Sequence, residues 1–185
     1  QKYFFEQKFE DKHHWNQAIM ISNEQTWDRV AIGQAFHRLI CHHDSLRMRF
    51  REVDGEIQAV IGEPSETFFT IESFQFDEAH AEEKIQEQAN RLQGSFDLYR
   101  GPLIRLAIFE TKVRHELLII IHHLLIDGVS WRILLDDFFH LYRGYAKKEE
   151  RELPPKTTSY QLWSKRLIEY ANTPECLREV PFWTE

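Results

Sequence analysis

The sequence is poor in cysteine, in long apolar runs and in positive charge. Two cysteines occur among 185 residues, Cys41 and Cys176, and they form no CxxC pair. That argues against a disulfide framework and leads us to expect reduced thiols in a cytoplasmic protein. No window holds 18 consecutive apolar residues, so no transmembrane helix is expected. Lys and Arg number 23 against 30 Asp and Glu, a formal charge of −7 with no basic stripe and no aromatic RNA-binding signature. A nucleic-acid surface, which needs clustered cations, is thereby excluded. The first residues, QKYFFEQKFEDKHHWNQ, lack the basic, apolar and small-residue sections of a signal peptide. An initiator Met is also lacking, so the chain is expected to be part of a longer polypeptide. No internal repeat or low-complexity stretch stands out.

What is present suits a packed fold. Hydrophobic residues make up 42% and aromatics 14%, enough for one domain with a real core. NQAIMIS (16–22) reads as a strand. Residues 26–44 read as a helix, with Val30, Ala31, Ala35, Leu39 and Ile40 near 3.6 spacing and Thr26 as the N-cap. SLRMRFREV (45–53) alternates with period two, and DGE turns it into IQAVI. Further strands are expected at 67–74, 103–110 and 114–123, the last two as antiparallel neighbours. Helices are expected at 78–95, closed by Gly94, from 129 onward and at 158–172. ELPPK (152–156) is the one linker-like piece. The fold class is α/β, a mainly antiparallel sheet packed with helices, rather than a doubly wound parallel sheet.

The informative stretch is LLIIIHHLLIDGVSWRILLDDF (117–138). Leu117 to Ile121 are apolar on both faces and suit a central strand covered on both sides. Successive strand side chains point to opposite faces, so His122 and His123 cannot both meet one ligand without a bend. One is expected in the packed interior, with a hydrogen-bond partner, since an unpaired buried polar group costs roughly 1–3 kcal/mol. Gly128 is read as a turn that a Cβ would hinder, with a helix starting near Val129 or Ser130. Three readings compete. The pair is a satisfied core histidine plus a surface one. Or His123 and Asp127 bind a metal, with no third ligand at suitable spacing. Or one imidazole is a general base, its ordinary pKa of about 6.5 suiting proton transfer near neutrality.

IHHLLIDG resembles the HHxxxDG motif of the condensation-domain superfamily of nonribosomal peptide synthetases. HHDSLRMRF (42–50) is similar to that family's RHExLRxxF segment, with His42 where Arg is common, and FDLYRGPLIRLAIFE (96–110) to its FDLxxGPLxRxxL segment. GVSWRILLDDF, HHWNQ, QKYFFEQ and LPPKTTSYQLWSKRLIEYA resemble epimerization domains in particular. The resemblance implies a chloramphenicol acetyltransferase-like fold of two halves around a cleft, of which residues 1–185 match the N-terminal half and end at PFWTE, where the second would begin. It implies epimerization of an L-aminoacyl or peptidyl thioester, carried on the 4′-phosphopantetheine of a neighbouring carrier domain, with adenylation or condensation domains adjacent. No resident cofactor or metal is assigned to the chain.

By the same resemblance His123 is the acid/base residue and the opposing group is a glutamate of the second half. Asp127 is structural and pairs with an arginine, Arg47 first and Arg49 second; His122 and Gly128 are structural too. Asp127 on its own also reads as a turn or cap residue. Trp15 and Trp131 are expected in the core, and Asn16 and Gln17 start a strand, with a role near the cleft as the alternative. A peptide-bond-forming condensation domain, a free-standing HxxxD acyltransferase and a non-catalytic docking fragment are the rivals.

Overall fold

The computed structural model of the chain describes residues 2–184; Gln1 and Glu185, within the terminal segments quoted above, lie outside the described residues. The chain divides into two compact units, Gln1–Leu153 and Pro154–Glu185. The division falls inside ELPPK, where Pro154 and Pro155 deny the backbone two N–H donors and fix φ.

The larger unit is built on a four-stranded sheet. Strand β1 (Asn16–Asn23) pairs antiparallel with β6 (His115–His122), β6 antiparallel with β5 (Ile104–Glu110), and β5 parallel with β4 (Thr70–Gln75). The strand holding the histidine motif is therefore interior to the sheet, as its two-faced apolar run requires. Ile104 to Phe109 on β5 and Leu117 to Ile121 on β6 are all buried. Each such Leu, Ile or Phe contributes about 1.5–3 kcal/mol of burial. The one parallel pair follows from α3 (Ala81–Gln93), which provides the crossover that parallel neighbours need. A separate antiparallel hairpin joins β2 (Met48–Val53) to β3 (Glu56–Ile61) through Asp54 and Gly55. Both turn residues have positive φ, 54° and 78°, which Asp tolerates and Gly accepts freely.

Helix α1 (Lys2–Glu6) precedes β1, and α2 (Arg29–His42) and α4 (Gly128–Lys147) contribute apolar faces to the core. On α2 these are Ile32, Ala35, Phe36, Leu39 and Ile40; on α4 they are Trp131, Leu134, Phe138 and Leu141. The N-cap of α2 is Asp28, not Thr26: its carboxylate accepts from the N–H of Val30 at 2.8 Å and of Ala31 at 3.0 Å. A carboxylate gains more than a hydroxyl from the helix dipole at that position. The strand expected from residue 45 begins only at Met48. Asp44–Arg47 instead form a 3-10 turn, with Leu46 and Arg47 both buried, which a period-two strand does not allow. The smaller unit holds α5 (Tyr160–Ala171), α6 (Pro174–Leu177) and α7 (Val180–Thr184), capped in turn by Ser159 and Thr173 for the first two. None of its described residues is buried, and Trp163, Ile168, Phe182 and Trp183 are exposed. No helix among the described residues is long and apolar enough to cross a membrane.

Candidate active site

At the end of β6 two backbone bonds hold the chain from opposite sides. The N–H of His122 donates to the carbonyl of Leu103 at 3.1 Å, and that of His123 to the carbonyl of Trp15 at 2.7 Å. The two imidazoles consequently leave the strand in different directions. His122 is 0% exposed. Its Nε2 lies 3.2 Å from the carbonyl of Lys12, and its Nδ1 accepts the N–H of Leu124 at 3.2 Å. A carbonyl only accepts and an N–H only donates, so this ring is neutral with its proton on Nε2. Phe4 meets it edge-on, and Phe96 is a second aromatic neighbour. Burial pushes its pKa down to about 4, further lowered by the charges of His123 and His13 and partly offset by the bond to Lys12. The buried member of the pair is thus His122, as the alternation of strand faces led us to expect.

His123 is half-buried. Its Nδ1 lies 2.8 Å from the carbonyl of Ile126, which places the proton on Nδ1 and leaves the lone pair on Nε2. The amide nitrogen of Gln17, on β1, is 3.2 Å from that Nε2. The amide is itself oriented. Its Oε1 accepts the indole N–H of Trp131 at 2.7 Å, and an indole N–H cannot accept, so the NH2 group must face His123. Trp15 stacks on the imidazole, with ring centroids 6.3 Å apart and planes 18° from parallel. Trp131 is buried in α4 yet reaches the site through its nitrogen, and Trp15 is 41% exposed. Both tryptophans therefore do more than fill a core. Asn16 faces the other way: its amide donates to the carbonyl of Gln93 at 2.8 Å, and its Oδ1 is buried without a hydrogen-bond partner.

Asp127 does not pair with Arg47 or Arg49. Its Oδ1 accepts from the N–H of Ser130 at 2.8 Å and from the Ser130 hydroxyl at 2.7 Å, making it the N-cap of α4. These two bonds hold its carboxyl below the usual range, opposed in part by burial and helped by the N–H of Val129. Arg47 is engaged elsewhere. It donates to the carbonyls of Gly62 at 3.0 Å, Cys41 at 3.3 Å and Ile40, and to Asp44 at 2.8 Å. Asp44 lies only three residues away, so its carboxylate reaches the guanidinium at little entropic cost, while the carbonyls of Ile40 and Cys41 lie in the last turn of α2 and that of Gly62 just beyond β3. Arg49 pairs with Glu66 at 2.8 Å. Gly128 needs no turn that excludes a side chain. It opens α4, its φ lies outside the left-handed region, and a Cβ there would meet nothing within 4 Å.

These contacts set an expected result. Asp127→Ala removes the cap and should cost about 1 kcal/mol in urea unfolding. Combined with Arg47→Ala, the two changes should add to within about 0.5 kcal/mol, since they share no partner. A coupling of several times that size would restore the arginine pair.

His123 and Asp127 form no metal cluster; among the described residues the one group of three with ligand atoms close together is His42, His43 and Asp137, within 4.8 Å. In that group His43 and Asp137 are already hydrogen-bonded at 2.8 Å and link the end of α2 to α4.

What the site can do follows from its parts. A neutral imidazole presents one basic nitrogen, fixed from behind by a backbone carbonyl and from the side by an aromatic ring. An oriented amide donor stands next to it. Such a pair can take a proton and can stabilise negative charge close by. Sequence reading located His123 but gave Gln17 no firm role, because the two are 106 positions apart and nothing local to either reports the contact.

The chain is 42% identical over 184 residues to tyrocidine synthase 2 of Brevibacillus parabrevis, covering 99% of this chain and 5% of that protein. It is 38% identical over 188 residues to surfactin synthase subunit 2 of Bacillus subtilis (strain 168), again 5% of that protein. Among solved structures, the epimerization domain from the third module of tyrocidine synthetase B superposes with a TM-score of 0.93 at 42% identity, over 99% of this chain and 42% of that one. The starter condensation domain of rhizomide synthetase shares the fold alone, with a TM-score of 0.76 at 16% identity. The chain thus spans a small fraction of its synthetase relatives and under half of the solved domain. The pattern described as Condensation domain matches residues 1–185 throughout, and with the histidine motif closing a central strand as set out above, the chain belongs to the condensation-domain family.

Proposed function

We propose that residues 1–185 are the N-terminal half of an epimerization domain of a nonribosomal peptide synthetase, and that His123 Nε2 removes the α-proton of a carrier-bound L-aminoacyl or peptidyl thioester. The observation that carries this reading is the likeness to an epimerization domain at 42% identity over 99% of the chain, against 16% for a starter condensation domain. The site supports it chemically. A thioester α-proton is weakly acidic, so its removal requires a placed base and a stabilised enolate.

Inversion also needs a proton delivered to the opposite face, and among the described residues no acid or base is placed across from His123 Nε2. The opposing group belongs to the remainder of the domain. The exposed Val129 and Ile133 beside the motif, and the exposed apolar side chains of α5 and α7, are surfaces that such a remainder would cover. The phosphopantetheine arm enters as part of the substrate, brought by a carrier domain. On this reading the 1–185 fragment alone turns over nothing: it supplies one wall of a cleft, so water is not excluded and the thioester is not positioned.

The test uses the complete domain with an L-aminoacyl carrier and chiral analysis of the acid released from the thioester. Accumulation of the D form supports the reading. Peptide-bond formation with a downstream acceptor and no inversion would favour a condensation domain instead.

A further inference from the structure

We propose that Gln17 is a second substrate-facing catalytic group, donating a hydrogen bond from its amide to the thioester oxygen as the α-proton leaves, with Trp131 as its positioning residue. The inference rests on the epimerization reading above and assigns a role that the histidine motif does not contain.

Three distances define the geometry. Gln17 Nε2 is 3.2 Å from His123 Nε2, Trp131 Nε1 is 2.7 Å from Gln17 Oε1, and His123 Nδ1 is 2.8 Å from the carbonyl of Ile126. Both ends of the chain of bonds are fixed in polarity: the carbonyl of Ile126 only accepts and the indole N–H of Trp131 only donates. Every group between them therefore has one consistent role. His123 is neutral with a lone pair on Nε2, and the Gln17 NH2 points toward that lone pair. Turning the amide over would set its NH2 against the indole N–H and leave a buried donor unsatisfied.

Proton transfer changes one contact in this chain. When Nε2 takes the α-proton, it becomes a donor and can no longer accept from Gln17. The C–H electron pair becomes the Cα=C bond, and the carbonyl π pair moves onto the thioester oxygen. The Gln17 N–H, released from Nε2 but still held by Trp131 through Oε1, then has a new acceptor carrying negative charge. The spacing suits this exchange. An α-carbon and the oxygen on the adjacent carbon are separated by about 2.4 Å, so a base and a donor 3.2 Å apart can address one each. Return of a proton from the opposing group on the other face restores the carbonyl, and once His123 has passed the proton it took to solvent, Nε2 again accepts the Gln17 N–H. Nothing is oxidised or reduced, and water closes the proton balance.

The test compares Gln17→Glu and Gln17→Ala with wild type in the complete domain, measuring α-hydrogen exchange and inversion on an L-aminoacyl carrier. Gln17→Glu keeps the shape of the side chain and an oxygen for Trp131 but replaces the donor with an acceptor. Both variants should lose roughly 10²–10³-fold in kcat, as for removal of one oxyanion donor, with little change in KM for the carrier. The loss should persist on the alkaline plateau of the rate profile, where the imidazole is neutral in every variant. Trp131→Phe should lower kcat in the same sense, by less. If Gln17→Ala folds poorly, Gln17→Glu still decides the matter. Wild-type kcat in Gln17→Glu, recovery of its rate at alkaline pH, or an effect confined to KM would each overturn the proposal. A wild-type domain that leaves the α-carbon untouched would remove the epimerization reading, and this role with it.

Discussion

Replacing His123 with alanine in the complete domain is expected to lower inversion of a carrier-bound aminoacyl thioester by about 10²–10⁴-fold, the usual cost of losing a general acid–base group. The fold should tolerate the change, since His123 is half-buried at the end of β6 and outside the apolar core. His122→Ala should behave in the opposite way. That ring is fully buried, and its loss leaves a cavity beside Phe4 and removes its hydrogen bonds with the carbonyl of Lys12 and the N–H of Leu124. Stability should fall by about 2–4 kcal/mol, with any effect on rate secondary to unfolding. Rate and melting temperature, measured on both variants, separate the two roles. An exchange reaction that survived His123→Ala and vanished in a well-folded His122→Ala would reverse the assignment of faces.

The second large effect is acid destabilisation through His122. In the unfolded chain this imidazole takes up its proton near pH 6.5; in the fold, burial holds uptake back to about 4. Between those values the unfolded state binds more protons than the native one. The stability contributed by the neutral buried ring is therefore complete above about pH 6.5 and is lost as pH falls toward 4. The shift corresponds to about 3 kcal/mol. Urea unfolding of the chain across this range should show the decline. A His122→Leu variant should show a flatter profile over the same interval, whereas an unchanged slope in that variant would place the proton uptake on another group.

Much of the site was legible because the chemistry is local. A run from Leu117 to Ile121 with no polar residue is a covered strand, and strand alternation then sends consecutive histidines to different faces. Asp before Gly at a helix start suits a cap, and Asp127 is one. The expected Asp127–Arg47 pair rested instead on a family pattern. It gave way to contacts nearer in sequence: Ser130 for the aspartate, Asp44 and the carbonyls of Ile40 and Cys41 for the arginine. Thr26 was expected to cap α2 because a hydroxyl there suits the role, but Asp28 two residues on competes with a full charge. Gln17 and Trp131 were less accessible to sequence reading. Their contacts arise from the β1–β6 register and from α4 packing back toward the sheet, and neither leaves a periodic or spacing signal.

The central claim is that His123 Nε2 exchanges the α-proton of a thioester delivered by a carrier domain. It is tested most directly by incubating the complete domain with an L-aminoacyl carrier in deuterium oxide and following deuterium at the α-carbon by mass spectrometry and chirality together. We expect wild type to incorporate deuterium and yield D-residue, and His123→Ala to do neither at a comparable rate. Deuterium incorporation by His123→Ala at the wild-type rate would contradict the account.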